Sequence, residues 1–168
     1  MSSRPASSTS LHFRTGFAAI LFCVLARADA CDVMVPVTRL RPEADSYTQS
    51  SGLDEPAEIL VRDENRWSAV WQQIHGHTRP SPPLPDIDFG KEMVIAVAMG
   101  RQRSGGYEIR IDRAWQERGV TVIVVRRYEP AAGCILPAAI TSPADIARLP
   151  SAPDPVEFRL ESVTRDCD

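Results

Sequence analysis

Residues 93–99, Met93-Val-Ile-Ala-Val-Ala-Met99, form an apolar run with no polar residue at alternate positions. A strand with one face in solvent alternates apolar and polar residues, so this run predicts a strand that is covered on both faces. We therefore expect it to be the central strand of a sheet.

An amphipathic helix is predicted upstream of this strand. Apolar side chains recur there at the i, i+3, i+4 and i+7 positions of a helical stripe: Trp67, Val70, Trp71 and Ile74. Asp63 is a suitable N-cap and Gly76 can end the helix. Such a short helix is marginal alone, so its two indoles should be buried against a sheet.

Further strands are predicted downstream of Met99. Apolar and charged residues alternate over Tyr107–Ile111 and again over Val156–Glu161, and Val120–Val125 is a continuous β-prone run. Short links favour antiparallel neighbours, because a parallel crossover needs about a dozen residues or more. The sequence therefore predicts an α+β fold: an antiparallel β-sheet with one amphipathic helix packed on a face.

The N-terminal part is predicted to be an export segment followed by a lead-in. Residues 1–30 contain the apolar run Phe17–Ala26 and end in Ala28-Asp-Ala30, which is typical of a signal peptide and too short for a membrane span. Residues 31–56 are polar and contain prolines, with one edge strand expected at Val33–Leu40, and residues 57–168 form the domain. We expect export to the periplasm or cell envelope. The net charge of −3 argues against nucleic-acid binding.

The cysteines that follow the export segment bear on anchoring and disulfide pairing. Cys31, directly after the predicted cleavage site, is where a lipoprotein would carry its lipid, although Asp29 fits that motif poorly. A lipid on Cys31 is the only membrane contact we expect. Thiols pair in an oxidising compartment, and we favour a bond between Cys134 and Cys167, with Cys31–Cys167 as the rival.

Residue patterns that could support catalysis are weak. Once the predicted export segment with His12 is removed, no third histidine accompanies His75 and His77, and Asp86 and Asp88 are the nearby carboxylates that could contribute to a metal site. Cys134 with either histidine is the only conceivable thiol–imidazole pair. Ser104 does not lie in a G-x-S-x-G elbow. We expect no catalytic residue, no metal and no cofactor.

The segment Gly100–Gly106 has two interpretations. Its arginines, Arg101 and Arg103, stand beside glycines as in an anion-binding loop, but the segment precedes a strand, whereas phosphate loops precede a helix. A hairpin turn is therefore favoured, with an anion or partner contact as the alternative.

The order of these pieces resembles the PrcB-like family over roughly residues 52–167. The matching stretches are Trp67-Ser-Ala-Val-Trp71, Pro85-Asp-Ile-Asp-Phe89, Met93–Gly100, Ser104-Gly-Gly-Tyr-Glu-Ile-Arg-Ile111, Pro130-Ala-Ala-Gly-Cys134, Thr141-Ser-Pro143 and Pro155-Val-Glu-Phe158. This chain departs from the family pattern at Pro130–Cys134, where a Pro-Gly turn is expected, and at Ala144-Asp-Ile-Ala-Arg148, where a strand is expected.

The family has exported or lipid-anchored members, and its eponymous member keeps a partner protease stable. The resemblance therefore implies an exported or lipid-anchored accessory protein. We therefore expect an exported, non-enzymatic module that binds a protein partner through its sheet face or through the loops Gly100–Gly106 and Ala131–Pro143. A small-ligand or anion-binding envelope protein is the alternative, and a small hydrolase comes third. The candidate partner-binding residues are Arg101, Arg103, Gly105, Gly106, Tyr107 and Trp115.

Overall fold

A computed structural model describes residues 33–40 and 49–167. The strands and the helix are, in chain order, β1 Val33–Val35, β2 Thr38–Arg39, β3 Pro56–Val61, α1 Glu64–His75, β4 Glu92–Met99, β5 Glu108–Glu117, β6 Val120–Pro130, β7 Ala144–Pro150 and β8 Val156–Arg165. The coarse prediction holds: the fold combines largely antiparallel sheets with one short helix. Along the part of the chain described, no helix has the length and apolar character needed to cross a membrane.

The strands form two four-stranded sheets, where the sequence predicted one. We call the sheet β2-β7-β4-β3 the central sheet and the sheet β1-β5-β6-β8 the outer sheet. All pairs in the central sheet are antiparallel, but β8 pairs with β6 in parallel. The prediction of a wholly antiparallel sheet is therefore wrong. Its reason is topological: between β6 and β8 the chain visits the central sheet as β7, and that long excursion allows a parallel return.

β4 is buried on both faces, as its continuous apolar sequence predicts. Residues Met93, Ile95, Val97 and Met99 share an apolar cluster with side chains of β5 and β6, so they fill the space between the sheets. The alternate residues Val94, Ala96 and Ala98 share a second cluster with the apolar stripe of the helix. The layers therefore run helix, central sheet, outer sheet.

Local sequence accounts for where α1 begins. The side chain of Asp63 accepts a hydrogen bond of 2.8 Å from the Arg66 N–H, so it is the N-cap that the sequence predicts. Trp67 and Trp71 are buried, with ring centroids 5.2 Å apart. Their indole N–H groups donate to main-chain oxygens of the proline-rich connector that follows the helix, at Pro85 (2.9 Å) and Pro82 (3.2 Å). Each buried indole therefore has a partner.

The predicted lead-in contributes strands to both sheets. β1 pairs with β5, and β2 pairs with β7. The single edge strand expected over Val33–Leu40 is thus two short strands in different sheets.

A buried carboxylate, that of Asp145, links β2 to strands of both sheets. Asp145 of β7 is fully buried, and its Oδ2 accepts from the Ile111 N–H (2.8 Å) and from Arg39 Nε (3.2 Å). Arg39 also donates from Nη2 to the Ile111 carbonyl oxygen (2.8 Å). Asp145 therefore holds β2, β5 and β7 together across the two sheets.

Candidate functional site

Two loops lie against each other at one end of the sheets. We call residues 100–106 the glycine loop and residues 131–143 the cysteine loop. Gln102 N–H donates to the Thr141 carbonyl oxygen (2.7 Å), and Thr141 N–H donates back to Gln102 (3.1 Å). The Thr141 hydroxyl also donates to the Ser104 carbonyl oxygen (3.0 Å). These two loops, about 25 residues apart in sequence, therefore form one surface.

The glycines of the glycine loop allow this close approach. The Gly105 N–H donates to the Pro137 carbonyl oxygen (3.0 Å), and a Cβ added to Gly105 would lie 3.3 Å from the Pro137 ring. Gly106 has a φ of 89°, which L side chains rarely adopt, and a Cβ there would lie 2.9 Å from the Leu136 side chain. Backbone conformation therefore favours glycine at 106, and an added Cβ at 105 would require the Pro137 ring to shift by a few tenths of an ångström.

A disulfide attaches the cysteine loop to the end of β8. Cys134 is bonded to Cys167, with their Cα atoms 5.5 Å apart, and the nearby Ala131 N–H donates to the Arg165 carbonyl oxygen (2.8 Å). The predicted pairing is confirmed, and the rival Cys31–Cys167 bond is wrong because Cys167 is already used. Cys31 itself lies outside the described residues.

The far end of the cysteine loop is fixed by a different set of contacts. Ser142 N–H donates to the Gln49 carbonyl oxygen (2.9 Å), and the Ser142 carbonyl oxygen accepts from the N–H and the hydroxyl of Ser51 (2.9 and 2.8 Å). Thr141 and Ser142 are buried. The loop is therefore held at both ends, by a covalent bond at one and by buried hydrogen bonds at the other.

Between these anchors the cysteine loop exposes large apolar side chains. Ile135 is 100% exposed and Ile140 is 65% exposed. A depression of about 280 Å³ lies beside Ile135 and is lined by Gly106, Pro130, Leu136, Arg165 and both bonded cysteines. Two large exposed apolar side chains on one restrained loop make this surface a candidate for binding another protein.

The arginines of the glycine loop are exposed, but the loop does not form an anion cradle. The main-chain N–H groups of Arg101, Gln102 and Gly105 already donate to carbonyl oxygens of the protein. The Arg101 side chain lies 4.0 Å from the Asp54 carboxylate, a weak exposed pair. Arg103 is exposed beside it. The two side chains therefore add positive charge to the rim of the loop surface, and the bonded N–H groups disfavour an anion site.

The two candidate aromatic residues are not brought together. Tyr107 directly follows the glycine loop and packs partly against the core between the sheets. Trp115 lies near the opposite end of β5, about 26 Å further along at the usual rise per residue. The guanidinium carbons of Arg113 and Arg159 lie 5.8 and 5.3 Å from its ring centroid. Trp115 is therefore part of the outer sheet's exposed face and not of the loop surface.

The exposed face of the outer sheet carries charges that are already paired. Arg113 contacts Asp112 (2.7 Å) and Glu161 (3.0 Å), and Arg126 contacts the same two carboxylates (3.3 and 3.2 Å). Glu108 pairs with Arg110 and with Arg165, and these contacts lower the pKa of Glu108 although burial opposes them. This face is therefore satisfied internally, which makes it a weaker candidate for partner binding than the loop surface.

The residues considered for catalysis do not converge. The Cys134 sulfur is in the disulfide and has no thiol to offer. His75 is fully buried in the helix layer, 4.0 Å from the Trp71 ring, and burial lowers its pKa. His77 is exposed. Within residues 33–40 and 49–167, no three or more His, Cys, Asp or Glu side chains come together as a metal site would require.

Sequence reasoning pointed to the cysteine loop but not to its exposed residues. Isoleucine is among the residue types that are most often buried, so residue type alone predicts that Ile135 and Ile140 lie in the core. The available signal was their position between prolines and a cysteine in a segment without a helical or strand period.

Comparison with known proteins yields one family match. Residues 93–150 match the family model described as PrcB C-terminal, which confirms the predicted resemblance over that segment. The matched segment runs from β4 to the end of β7 and includes both loops of the surface described above. No curated protein and no solved structure matches the chain significantly.

Proposed function

We propose that this chain, a member of the PrcB-like family, is an exported accessory protein that binds a partner protein and stabilises it. The family's name associates it with a protease complex, so the proposed partner is an envelope or secreted protease. The chain contributes no catalytic group of its own in this proposal. It acts by offering a preformed surface.

The observation that carries the proposal is the exposure of Ile135 and Ile140 on a loop that is restrained at both ends. An exposed isoleucine has no stabilising role in the isolated domain, whereas burial against a partner removes its apolar area from water. A restrained loop loses little conformational entropy on binding, so more of that gain appears as affinity. Arg101 and Arg103 supply positive charge at the rim, where charge affects association rate and specificity.

Export is the part of the proposal that rests on residues 1–30 and on the disulfide. The apolar run and the Ala28-Asp-Ala30 end are typical of a signal peptide. The Cys134–Cys167 bond supports the same assignment, because such bonds persist in oxidising compartments outside the cytosol. If Cys31 carries a lipid, the chain remains at the membrane surface with its loops free to bind.

Capture of the partner from the native cell envelope tests the proposal. The tagged chain should retain one specific protease in near-equal amount, and a variant with Ile135→Asp and Ile140→Asp should lose it. Leu84→Asp is the matched control, since Leu84 is also an exposed large apolar residue but lies in the proline-rich connector. Equal capture by all three chains would show that the loop surface is not the binding site.

A further inference from the structure

The free side of β8 is a second surface that the proposed function does not use. β8 is the end strand of the outer sheet and has ten residues. Thr121 N–H donates to the Pro155 carbonyl oxygen, and Ala131 N–H donates to Arg165, so the odd-numbered residues direct their main-chain groups to β6. The even-numbered residues then direct theirs away from the sheet: Val156, Phe158, Leu160, Ser162 and Thr164.

Within the described part of the chain this edge is regular and unpaired, although four of its ten residues are charged: Glu157, Arg159, Glu161 and Arg165. No described residue forms a main-chain hydrogen bond to the free side of β8. The register with β6 runs without a bulge from Val156 to Arg165, and no proline interrupts the strand. Leu160, near its middle, is 47% exposed. A long, regular edge with an exposed apolar side chain is a template for another strand.

We infer that this edge pairs with the same edge of a second copy of the chain, antiparallel, with Leu160 on the twofold axis. In this register each residue faces the residue that is equally far from Leu160 on the other strand. Leu160 therefore faces Leu160, and Arg159 faces Glu161 twice. Phe158 faces Ser162 on the same face of the sheet as Leu160, and the Arg159–Glu161 pairs lie on the opposite face. Glu161 already contacts Arg113 and Arg126, and Arg159 contacts Glu117, so the facing pairs would extend an existing charge network across the strand pair.

The charge pattern of β8 selects this register over its neighbours. A shift that puts Glu161 on the axis makes two carboxylates face each other, and a shift that puts Arg159 there makes two guanidinium groups face each other. Like charges in facing positions destabilise the pair. A slip of one strand by one residue relative to the other would turn every side chain to the wrong face of the sheet. Registers centred on Phe158 or Val163 also pair opposite charges, but they overlap less of the ten-residue strand and form fewer main-chain hydrogen bonds than the register centred on Leu160.

The paired strands would form one continuous eight-stranded sheet with about ten new main-chain hydrogen bonds. Because the strands run in opposite directions, the two cysteine loops would lie at opposite ends of the pair, more than about 34 Å apart. The dimer leaves both loop surfaces open and does not depend on the partner-binding proposal.

Cysteine cross-linking tests this register directly. Leu160→Cys should form an intermolecular disulfide under mild oxidation, because facing Cα atoms in a hydrogen-bonded pair lie about 5.5 Å apart. Ser162→Cys is the matched control: its two copies would lie about 13 Å apart and should stay reduced. Both variants carry Cys31→Ser, so that the introduced thiol is the only one free. Equal cross-linking of the two variants would overturn the register.

Sedimentation of the exported chain over a micromolar concentration series provides the second test. The wild type should show a monomer–dimer equilibrium. Leu160→Pro removes only a free-side N–H and should raise the dimer dissociation constant at least about tenfold. A wild-type chain that is monomeric throughout contradicts the inference, as does a dimer that Leu160→Pro leaves intact. If the wild type is monomeric and Leu160→Pro loses a protease partner, a partner segment occupies the edge and the second-copy inference is wrong. Should Leu160→Pro fail to fold, the cross-linking pair decides.

Discussion

Gln102 and Thr141 exchange two main-chain hydrogen bonds, of 2.7 Å from the Gln102 N–H and 3.1 Å from the Thr141 N–H. This pair is an isolated antiparallel bridge outside the strands. It joins the glycine loop, which connects β4 to β5, with the cysteine loop, which connects β6 to β7. Each loop connects a strand of one sheet to a strand of the other, so both sheets hold the loop surface in place. Single substitutions can therefore test the contribution of each contact to this surface.

Charge introduced at the exposed isoleucines should weaken partner binding without weakening the fold. Ile135→Asp should cost about 2 kcal/mol of binding free energy, about 30-fold in affinity, if the side chain is an interface anchor. Its complete exposure means that the free energy of unfolding should change by less than about 0.5 kcal/mol. Titration calorimetry with the captured partner and urea denaturation measure the two quantities. A large loss of stability with unchanged affinity would contradict this assignment.

Removal of the disulfide should destabilise the domain substantially. The bond closes a segment with a sequence separation of 33 residues. The chain-entropy model gives about 3–4 kcal/mol for such a closure. The double variant Cys134→Ser, Cys167→Ser should therefore unfold at lower urea concentration, and a reductant should destabilise the wild type but not the variant. A reductant effect of equal size on both would show that the stabilisation arises elsewhere.

Loss of the Asp145 carboxylate should weaken the fold strongly, because the groups that donate to it would be left in a buried site. Asp145→Ala leaves the Ile111 N–H and Arg39 Nε without this acceptor, and we expect a loss of about 2–3 kcal/mol in the free energy of unfolding. Asp145→Asn should cost less, since the amide oxygen can still accept one bond.

The control for this prediction is an ion pair at the surface. Asp154 pairs with Arg62 at 3.0 Å but is largely exposed. Asp154→Ala should change stability by no more than about 0.5 kcal/mol. If the Asp145 and Asp154 variants lose equal stability, burial is not the cause.

His75 should make the fold sensitive to mild acid. Burial lowers its pKa in the folded chain below the usual 6.5, so near pH 6 the unfolded chain binds more protons than the folded one. Stability is then fully present above about pH 6.5 and decreases as the pH falls toward the folded-state pKa. Denaturant unfolding at about pH 7.5 and 5.5 should show the decrease in the wild type.

The exposed neighbour His77 supplies the comparison for this pH effect. His77→Gln should keep the acid sensitivity, and His75→Gln should reduce it. A pH dependence that survives in His75→Gln but disappears in His77→Gln would contradict the role of burial.

Local sequence patterns predicted the elements whose signals are local. The N-cap of α1, the stripe of Trp67 and Trp71, and the doubly buried β4 all follow from spacing and side-chain type. The cysteine count predicted a disulfide and left two pairings open, of which the favoured one, Cys134–Cys167, is the bond that the structure shows. The helix and strand features depend on a few neighbouring residues, so the chain shows them without its tertiary context.

The arrangement of strands in two sheets could not be read in the same way. β7, Ala144–Pro150, contains Asp145 and Arg148 in a run without a β-branched period, and its strand conformation is imposed by pairing with β4 and β2. The placement of β8 beside β6 depends on where β7 goes. Trp115 likewise joins the outer sheet face through its register with Val122, which sequence spacing does not reveal.

The most direct test of the central claim is the lifetime of the partner protease in cells that lack this chain. Our account predicts that the protease is degraded several-fold faster in the deletion strain. The wild-type chain and Leu84→Asp should restore its lifetime, and the Ile135→Asp, Ile140→Asp variant should not, although it is exported and folded. A protease lifetime that is the same with and without the chain, or that the isoleucine variant restores fully, would contradict the account.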